Sequence, residues 1–588
     1  MRTLGEILAD ADNVVRGIPA APGLYIGVAH RYAKEAVGAR DGDADDPDVE
    51  IERFREALAK SKKELGKVFN LAKEKMGETR AAIFEAQLMV LDDASLVETI
   101  ERRIREEKRR PEVVVESEIN KYIEMMNLST EAYMKERALD IEDIRNRIVR
   151  NLQKKRWESK ITENVVVVAE HLTPADTILF SRRNVRAYVT DFGGLTSHAA
   201  IVARSLDIPA VVGALGAAER AQEGAEVIVD GFHGYLFVDP TDEQREFFED
   251  KVEKLERLKI ELKELRDSPA ETTDGKRVEL LANVDVSGET AVVVANGAEG
   301  VGLYRTEQII EETGVFPEED RQVEIYAELA ARVYPNPITI RAFDLGGDKV
   351  RLFHHQEANP FLGLRGVRFL LDNRNLFKTQ TRAVLRAGVN RNVKYMIPMV
   401  ATVEEVRETK RLIAECRREL EEERTPFDRD MPFGIMIEVP SAALMASDFA
   451  KEVDFLSVGT NDLIQYLMAV DRGNDAVYDL YMEFHPAVLR TLEHIVRTAR
   501  PTNTSVSVCG EMAADPMATP FFVGIGMESL SVSPAAIPVI KNVIRHLSYE
   551  ECRRMAEECL ALGAEYEVKE VVRKFYEEKI AKHTGERA

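Results

Sequence analysis

From residue 278 onward, short apolar runs recur at wide spacing, and this periodicity limits what the chain can fold into more than any other feature. The runs are Val278 to Ala282, Gly302 to Tyr304, Ile338 to Ala342, Tyr395 to Met399, Gly434 to Ile437, Phe455 to Val458, Val506 to Val508 and Leu530 to Val532. Helix-patterned segments separate most of them. Roughly eight strands alternating with helices over about 300 residues predict a TIM (β/α)8 barrel.

A barrel of this kind gathers its reactive groups at the C-terminal ends of its strands. Polar residues stand at those ends here. Asn283 follows the first run, Arg305 the second, and Arg341 lies within the third. Glu438 follows the fifth, Asn461-Asp462 the sixth and Cys509-Gly510-Glu511 the seventh. Arg365, Lys349 (in Asp344-Leu345-Gly346-Gly347-Asp348-Lys349) and Arg472 (in Val470-Asp471-Arg472-Gly473-Asn474) add further cations. One such arginine alone reads as a surface salt bridge. Five cations near strand ends imply a small, highly anionic substrate, because guanidinium forks match carboxylate and phosphate oxygens in pairs. Glu438 and Asp462 are candidate magnesium ligands, since magnesium takes few carboxylates and completes its shell with water and phosphate. Cys509 could give or take a proton.

The first part of the chain carries a different pattern. A strand-like segment, Gly17-Ile18-Pro19 through Gly27-Val28-Ala29, precedes a long helical stretch that opens at Asp46-Pro47-Asp48, with Asp as cap and Pro in the first turn. Gly77 reads as a stop, and Ile141, Ile144, Ile148 and Leu152 keep helical spacing near the end of the block. Strand signals resume at Val165-Val166-Val167-Val168, Ala187-Tyr188-Val189, Ala210-Val211-Val212 and Val227-Ile228-Val229. The expected organisation is therefore a mixed α/β domain at 1–33 and 153–240, with a helical insertion at 34–152. A charged linker helix follows at 241–270, striped by Phe248, Val252, Leu255, Leu262 and Leu265, and the barrel occupies 271–588.

Within the α/β domain lies Gly193-Gly194-Leu195-Thr196-Ser197-His198-Ala199-Ala200-Ile201-Val202-Ala203-Arg204. A lone histidine is ordinarily a satisfied structural residue. This one follows a glycine turn and two hydroxyl residues and opens a helical pattern. Neutral imidazole is a good nucleophile toward phosphorus. The following helix would offer N–H groups and positive dipole to a phosphate, and the glycines would let the backbone approach. His198 is thus a candidate phosphoryl carrier. His171, His233, His354, His355, His485 and His494 lack this setting.

Composition narrows the function class. A chain of 588 residues with formal net charge −23 is too long for one core, and its acidity argues against general nucleic-acid binding. It carries no apolar run of membrane-spanning length, and Glu6, Asp10 and Asp12 do not fit a signal peptide, so the expected location is the cytoplasm. Cys416, Cys509, Cys552 and Cys559 make no CxxC pair and no zinc spacing.

Several of these motifs resemble those of the phosphoenolpyruvate-utilising enzymes. They are Gly302-Leu303-Tyr304-Arg305-Thr306-Glu307, Asn359-Pro360-Phe361-Leu362-Gly363-Leu364-Arg365, Gly459-Thr460-Asn461-Asp462-Leu463, Val508-Cys509-Gly510-Glu511 and the histidine run. The order of segments resembles the enzyme I family of the sugar phosphotransferase system. That resemblance implies that His198 takes the phosphoryl group of phosphoenolpyruvate on Nε2 and passes it to a histidine of the phosphocarrier protein HPr. It implies that Arg305, Arg341, Lys349, Arg365, Asn461, Asp462 and Arg472 hold the substrate, that Glu438 and Asp462 bind Mg2+, and that Cys509 protonates the enolate to give pyruvate. The helical insertion would dock HPr, and the barrel would form a homodimer. The α/β domain would swivel on hinges near Pro240 and near residue 270. Gln308 departs from the pattern, which carries an aromatic residue after Arg-Thr-Glu. No sensor module is expected ahead of residue 17. A phosphoenolpyruvate synthase or pyruvate phosphate dikinase is the alternative; the short, mostly helical segment before His198, with no glycine-rich phosphate loop, argues against its nucleotide domain. A non-catalytic relative would be expected to lose His198, Glu438, Asp462 or Cys509.

Overall fold

The computed structural model describes all residues except 1–3, 9–11, 34–41, 45, 77, 129–131, 156–160, 162–163, 196, 207, 286–289, 314–315, 347–358, 475–476 and 582–588. The chain divides into two compact units, Met1–Glu253 and Lys254–Ala588.

The first unit is built on one sheet of eight strands. These are β1 (Val14–Arg16), β2 (Ile18–Ala21), β3 (Leu24–Tyr32), β4 (Val165–Ala169), β5 (Ala187–Thr190), β6 (Ala210–Val212), β7 (Glu226–Asp230) and β8 (Tyr235–Val238). Their order is β1-β8-β7-β3-β4-β5-β6-β2. β3 to β6 run parallel, and the flanking pairs are antiparallel. The early strand-like segment therefore shares a sheet with the strands after residue 165, as its pattern implied. β1 and β8 are additions that the sequence reading did not single out.

Buried on both faces, β4 reads as an unbroken valine run. Val166 and Val168 pack with Ala217 and Ala218 on one side. Val165 and Val167 pack with Phe180, Ala200 and Ala203 on the other. Between β3 and β4 the chain leaves the sheet for five helices, Pro47–Met76, Glu78–Leu91, Ala94–Glu107, Pro111–Asn127 and Ala132–Leu152. Their shared core reaches Ala175, Ile178 and Val202, so the helix that begins at His198 packs against both the sheet and the helical block. A further helix, Asp242–Glu264, buries Phe248 against Ile228 and Phe237 and leaves most of its other side chains in water.

The second unit contains a closed barrel of parallel strands. They are β9 (Glu279–Val284), β10 (Val301–Tyr304), β11 (Ile338–Arg341), β12 (Val393–Ile397), β13 (Phe433–Ile437), β14 (Phe455–Val458), β15 (Ser505–Val508) and β16 (Ser529–Val532), with β16 closing on β9. Each of the eight apolar runs is a strand of this barrel. Alternate side chains point to opposite faces. Ile340, Ile397, Ile437 and Val458 join the large core shared with the surrounding helices. Leu303, Met396, Met436, Phe455 and Cys509 form a separate apolar cluster. Cys509 thus sits on an apolar floor beneath the strand ends.

The helical block also buries charge. On the helix Ala132–Leu152, Asp140 accepts a hydrogen bond from Gln87 Nε2 at 3.2 Å and pairs with Arg137 at 3.4 Å. Burial pushes its carboxyl up to about 6, Arg137 opposes that rise, and Asp143 adds to it. An aspartate has a pKa of about 3.9 when unfolded. The folded state therefore holds this proton more tightly than the unfolded state. The resulting stabilisation is full below about pH 4 and is lost as pH rises through about 6. Asp140→Asn should match the parent below pH 4 and exceed it above pH 7, by up to about 3 kcal/mol. Hydrogen exchange of peptides from Glu78–Leu91 and Ala132–Leu152, followed in both proteins across this range, measures the difference. A difference that does not vary with pH would contradict the assignment.

Candidate active site

The loop after β5 and the helix His198–Ser205 set up the histidine segment. Ser197 caps the helix, accepting from Ala200 N–H at 3.4 Å. Arg204, at its last turn, reaches back to the Leu195 carbonyl at 2.6 Å and to Ala20 at 2.8 Å. Asp191 accepts from Ala218 N–H at 2.9 Å. Gly193 has φ +124°, a conformation that side-chain-bearing residues rarely adopt. The turn is therefore tied on both sides, and His198 occupies the first position of the helix, where N–H groups lack intrahelical partners. Thr196 lies outside the described residues.

At the C-terminal ends of the barrel strands, a cleft of about 270 Å³ is lined by Asp285, Arg305, Glu307, Gln308, Arg341, Glu438, Asn461, Asp462, Arg472, Cys509 and Glu511, among others. Of the barrel residues singled out from sequence, Arg305, Arg341, Glu438, Asn461, Asp462, Arg472, Cys509, Gly510 and Glu511 line it, whereas Asn283 does not. Lys349 lies outside the described residues. Arg365 does not line the cleft; it stands behind the wall and holds that wall in place.

Arg365 is almost fully buried and grips two carboxylates at once. Nε and Nη2 each donate to Asp344 at 3.0 Å, while Nη1 and Nη2 donate to Asp462 at 3.2 and 3.1 Å. Burial alone would make this guanidinium easier to deprotonate, but Asp344 and Asp462 more than reverse that. Arg341, also buried, donates to Glu307 at 3.0 Å and lies 3.5 Å from Asp344. Glu307 accepts in turn from the Asp344 N–H at 2.5 Å. Arg305 is more open and makes a two-oxygen contact with Asp285 at 2.8 and 3.0 Å. Arg472 has no ion pair among the described residues, and its N–H is anchored by Gln465 at 3.1 Å.

The sequence did not mark Asp285, Glu307 or Asp344 as part of the site. For two of them a signal was present, since a buried arginine requires a counter-charge and Glu307 and Asp344 lie within the segments that carry Arg305 and Arg341; Asp285 is 20 positions from its partner Arg305.

Glu438 is buried, and one of its oxygens accepts from Met399 N–H at 2.6 Å. Burial, then the charges of Asp462 and Asp344, hold its carboxyl well above the usual carboxylate range. Five carboxylates line the cleft (Asp285, Glu307, Glu438, Asp462, Glu511) against three arginines (Arg305, Arg341, Arg472). A divalent cation between Glu438 and Asp462 would relieve that repulsion. Among the described residues no three His, Cys, Asp or Glu side chains form a closed cage. An open pair of carboxylates is the set from which magnesium builds a shell with water and phosphate, so these residues fit it.

Cys509 is buried, with its thiol facing the Val458 carbonyl at 3.5 Å. Burial pushes the thiol up to about 11; the Ser457 hydroxyl opposes this and the Glu438 charge adds to it. It therefore stays protonated at neutral pH. Gly510 lets this strand end close onto its neighbour, since a Cβ there would stand 1.8 Å from the Thr460 hydroxyl. Asn461 completes the join, donating to the Glu511 carboxylate at 3.1 Å and accepting from its N–H at 2.8 Å.

One chain thus carries a histidine at a helix N-terminus and an arginine-lined barrel cleft. Three family models match: PEP-utilising enzyme, N-terminal, at residues 16–137; mobile domain, at 161–234; and PEP-binding domain, at 259–549. The phosphoenolpyruvate-protein phosphotransferase of Bacillus sp. (strain S) is 39% identical over 96% of this chain and 98% of its own length. That of Geobacillus stearothermophilus is likewise 39% identical over 96% of this chain and 98% of its own. That of Bacillus subtilis (strain 168) is 38% identical over 94% and 98%. With this identity spanning both the histidine loop and the barrel cleft, the chain belongs to the phosphoenolpyruvate-protein phosphotransferase family of PEP-utilising enzymes.

Proposed function

We propose that this protein transfers the phosphoryl group of phosphoenolpyruvate through His198 to a histidine of the phosphocarrier protein HPr, releasing pyruvate. This is the entry step of the sugar phosphotransferase system. The observation that carries the reading is one chain with two separate parts: a capped, glycine-turned histidine in one unit and an arginine-rich barrel cleft in the other.

Arg305, Arg341, Lys349, Asn461 and Arg472 bind the carboxylate and phosphate oxygens, and Arg365 contributes by fixing Asp462. Glu438 and Asp462 would hold magnesium, whose charge neutralises phosphate oxygens when it is bound. The His198 imidazole attacks phosphorus, its N–P bond forming as the bridging P–O bond breaks, and the electron pair leaves on the enolate oxygen. The Cys509 thiol then gives its proton to the methylene carbon, and water reprotonates the thiolate. A thiol pushed up to about 11 is the correct form for a donor at neutral pH, because it arrives protonated. The carboxylates around the cleft disfavour the enolate and so favour its rapid conversion to the ketone. We further propose that the α/β domain (1–33 and 153–240) swivels on the helix at 241–270 between the cleft and HPr, which docks on the helical insertion (34–152). The barrel domain (271–588) pairs two copies, and the protein works in the cytoplasm. Among the described residues, no helix is long and apolar enough to cross a membrane.

Two measurements test this. Incubation with 32P-phosphoenolpyruvate and magnesium should give one acid-labile label per chain. It should be lost in His198→Ala and after chelation of the metal, and it should be absent with labelled ATP. Label that persists in His198→Ala overturns the carrier assignment. Cys509→Ala should separate the two halves of the reaction. Label should still appear in a single turnover, while steady-state pyruvate formation falls roughly 10²-fold or more. Unchanged pyruvate formation would remove Cys509 from the mechanism.

A further inference from the structure

In the segment Arg305-Thr306-Glu307-Gln308, the first three residues are held by the protein itself. Arg305 binds Asp285 through its side chain and Val284 through its N–H. The Thr306 hydroxyl donates to the Arg341 carbonyl at 3.0 Å and accepts from Gln380 at 3.1 Å. Glu307 is engaged by Arg341 and by the Asp344 N–H. Gln308 is different. Its side chain lines the cleft beside Arg305, and its Oε1 is buried with no hydrogen-bond partner. The backbone that carries it is fixed, so the amide stands at a defined place in the cleft wall.

A buried amide oxygen without a partner is unfavourable and rare in native proteins. The two ends of a glutamine amide have nearly the same shape, so a half-turn exchanges acceptor for donor and the hydrogen bonds it meets decide its sense. Among the described residues no hydrogen bond to that oxygen fixes the choice. An anion in the cleft would fix it, by offering an acceptor to the N–H. A neutral donor is also useful here, since it adds binding without altering the balance of five carboxylates and three arginines lining the cleft.

We propose that Gln308 is a substrate-binding residue whose side-chain N–H donates to an anionic oxygen of bound phosphoenolpyruvate. A purely hydrocarbon aromatic ring at this position could not do so. This chain therefore holds its substrate with one polar contact more than such a ring provides. The inference rests on reading the cleft as the phosphoenolpyruvate site.

The test uses the full-length chain carrying His198→Ala, so that ligand binds without turnover, and calorimetry with phosphoenolpyruvate and magnesium. Gln308→Leu, which keeps the bulk and removes the amide, should weaken binding about tenfold. Gln308→Glu, which keeps the shape and adds a negative charge, should weaken it further. In chains that retain His198, Gln308→Leu should raise KM by a similar factor and leave kcat within about twofold. General damage to the fold would lower kcat as well. Arg305→Met serves as the reference. If it weakens binding while Gln308→Leu and Gln308→Glu stay within twofold of the parent, Gln308 makes no contact and the inference fails although the cleft reading stands. If none of the three weakens binding, the cleft itself is not the site and both fall.

Discussion

The grip of Arg365 on Asp344 and Asp462 is the interaction on which the barrel's upper face depends. Asp344 lies just beyond β11, Arg365 precedes the helix Val367–Asp372, and Asp462 opens the chain beyond β14. One planar guanidinium, nearly sealed from water, meets both carboxylates with two hydrogen bonds each. Removing one partner of such a buried set commonly costs about 3–5 kcal/mol, because the remaining charges are left uncompensated. The same Asp344 also approaches Arg341, whose other partner, Glu307, lies beyond β10. Three strand ends are thus held in register by charge, and the residues that face the cleft inherit fixed positions.

That arrangement also determines which protons are present. The cleft has more acids than arginines on its wall, and two of those acids, Glu438 and Asp462, repel one another. Cys509 lines the same cleft and packs on an apolar cluster of Leu303, Met396, Met436 and Phe455. An acidic, poorly hydrated setting keeps a thiol neutral and disfavours an enolate. In the proposed reaction, one environment therefore favours the incoming metal-bound substrate, supplies a protonated donor and destabilises the leaving enolate. Electrostatic preorganisation of this kind needs no motion within the barrel. In the proposal, motion belongs to the histidine domain.

Much of this was legible in the amino-acid order. All eight barrel strands fall on the apolar runs, because a strand buried on both faces must be a short apolar run whatever its neighbours. Their C-terminal ends could then be located, and Arg305, Arg341, Glu438, Asn461, Asp462, Arg472 and Cys509 do meet in one cleft. The edge strand β1 and its neighbour β8 escaped, since strands of only three and four residues carry little pattern. Arg365 was identified as a site residue, but its position behind the wall was not. An arginine's sequence neighbours do not reveal whether its fork faces a ligand or a carboxylate 97 positions away. Gln308 could be noted as a departure, yet only its surroundings show that its amide oxygen is buried without a partner.

The sequence by itself determined the elements and the chemical inventory: a histidine behind a glycine turn, a barrel pattern, and cations and acids at strand ends. These follow from local rules of burial period, capping and backbone freedom, which act over a few residues. The tertiary structure alone decided how the charges are divided. It committed Arg365 wholly to the scaffold, joined Arg341 to Glu307, left Arg472 facing the cleft and buried Cys509 among Leu303, Met396, Met436 and Phe455. Those outcomes depend on distances and desolvation between groups far apart in the chain, and these are fixed only when the barrel closes.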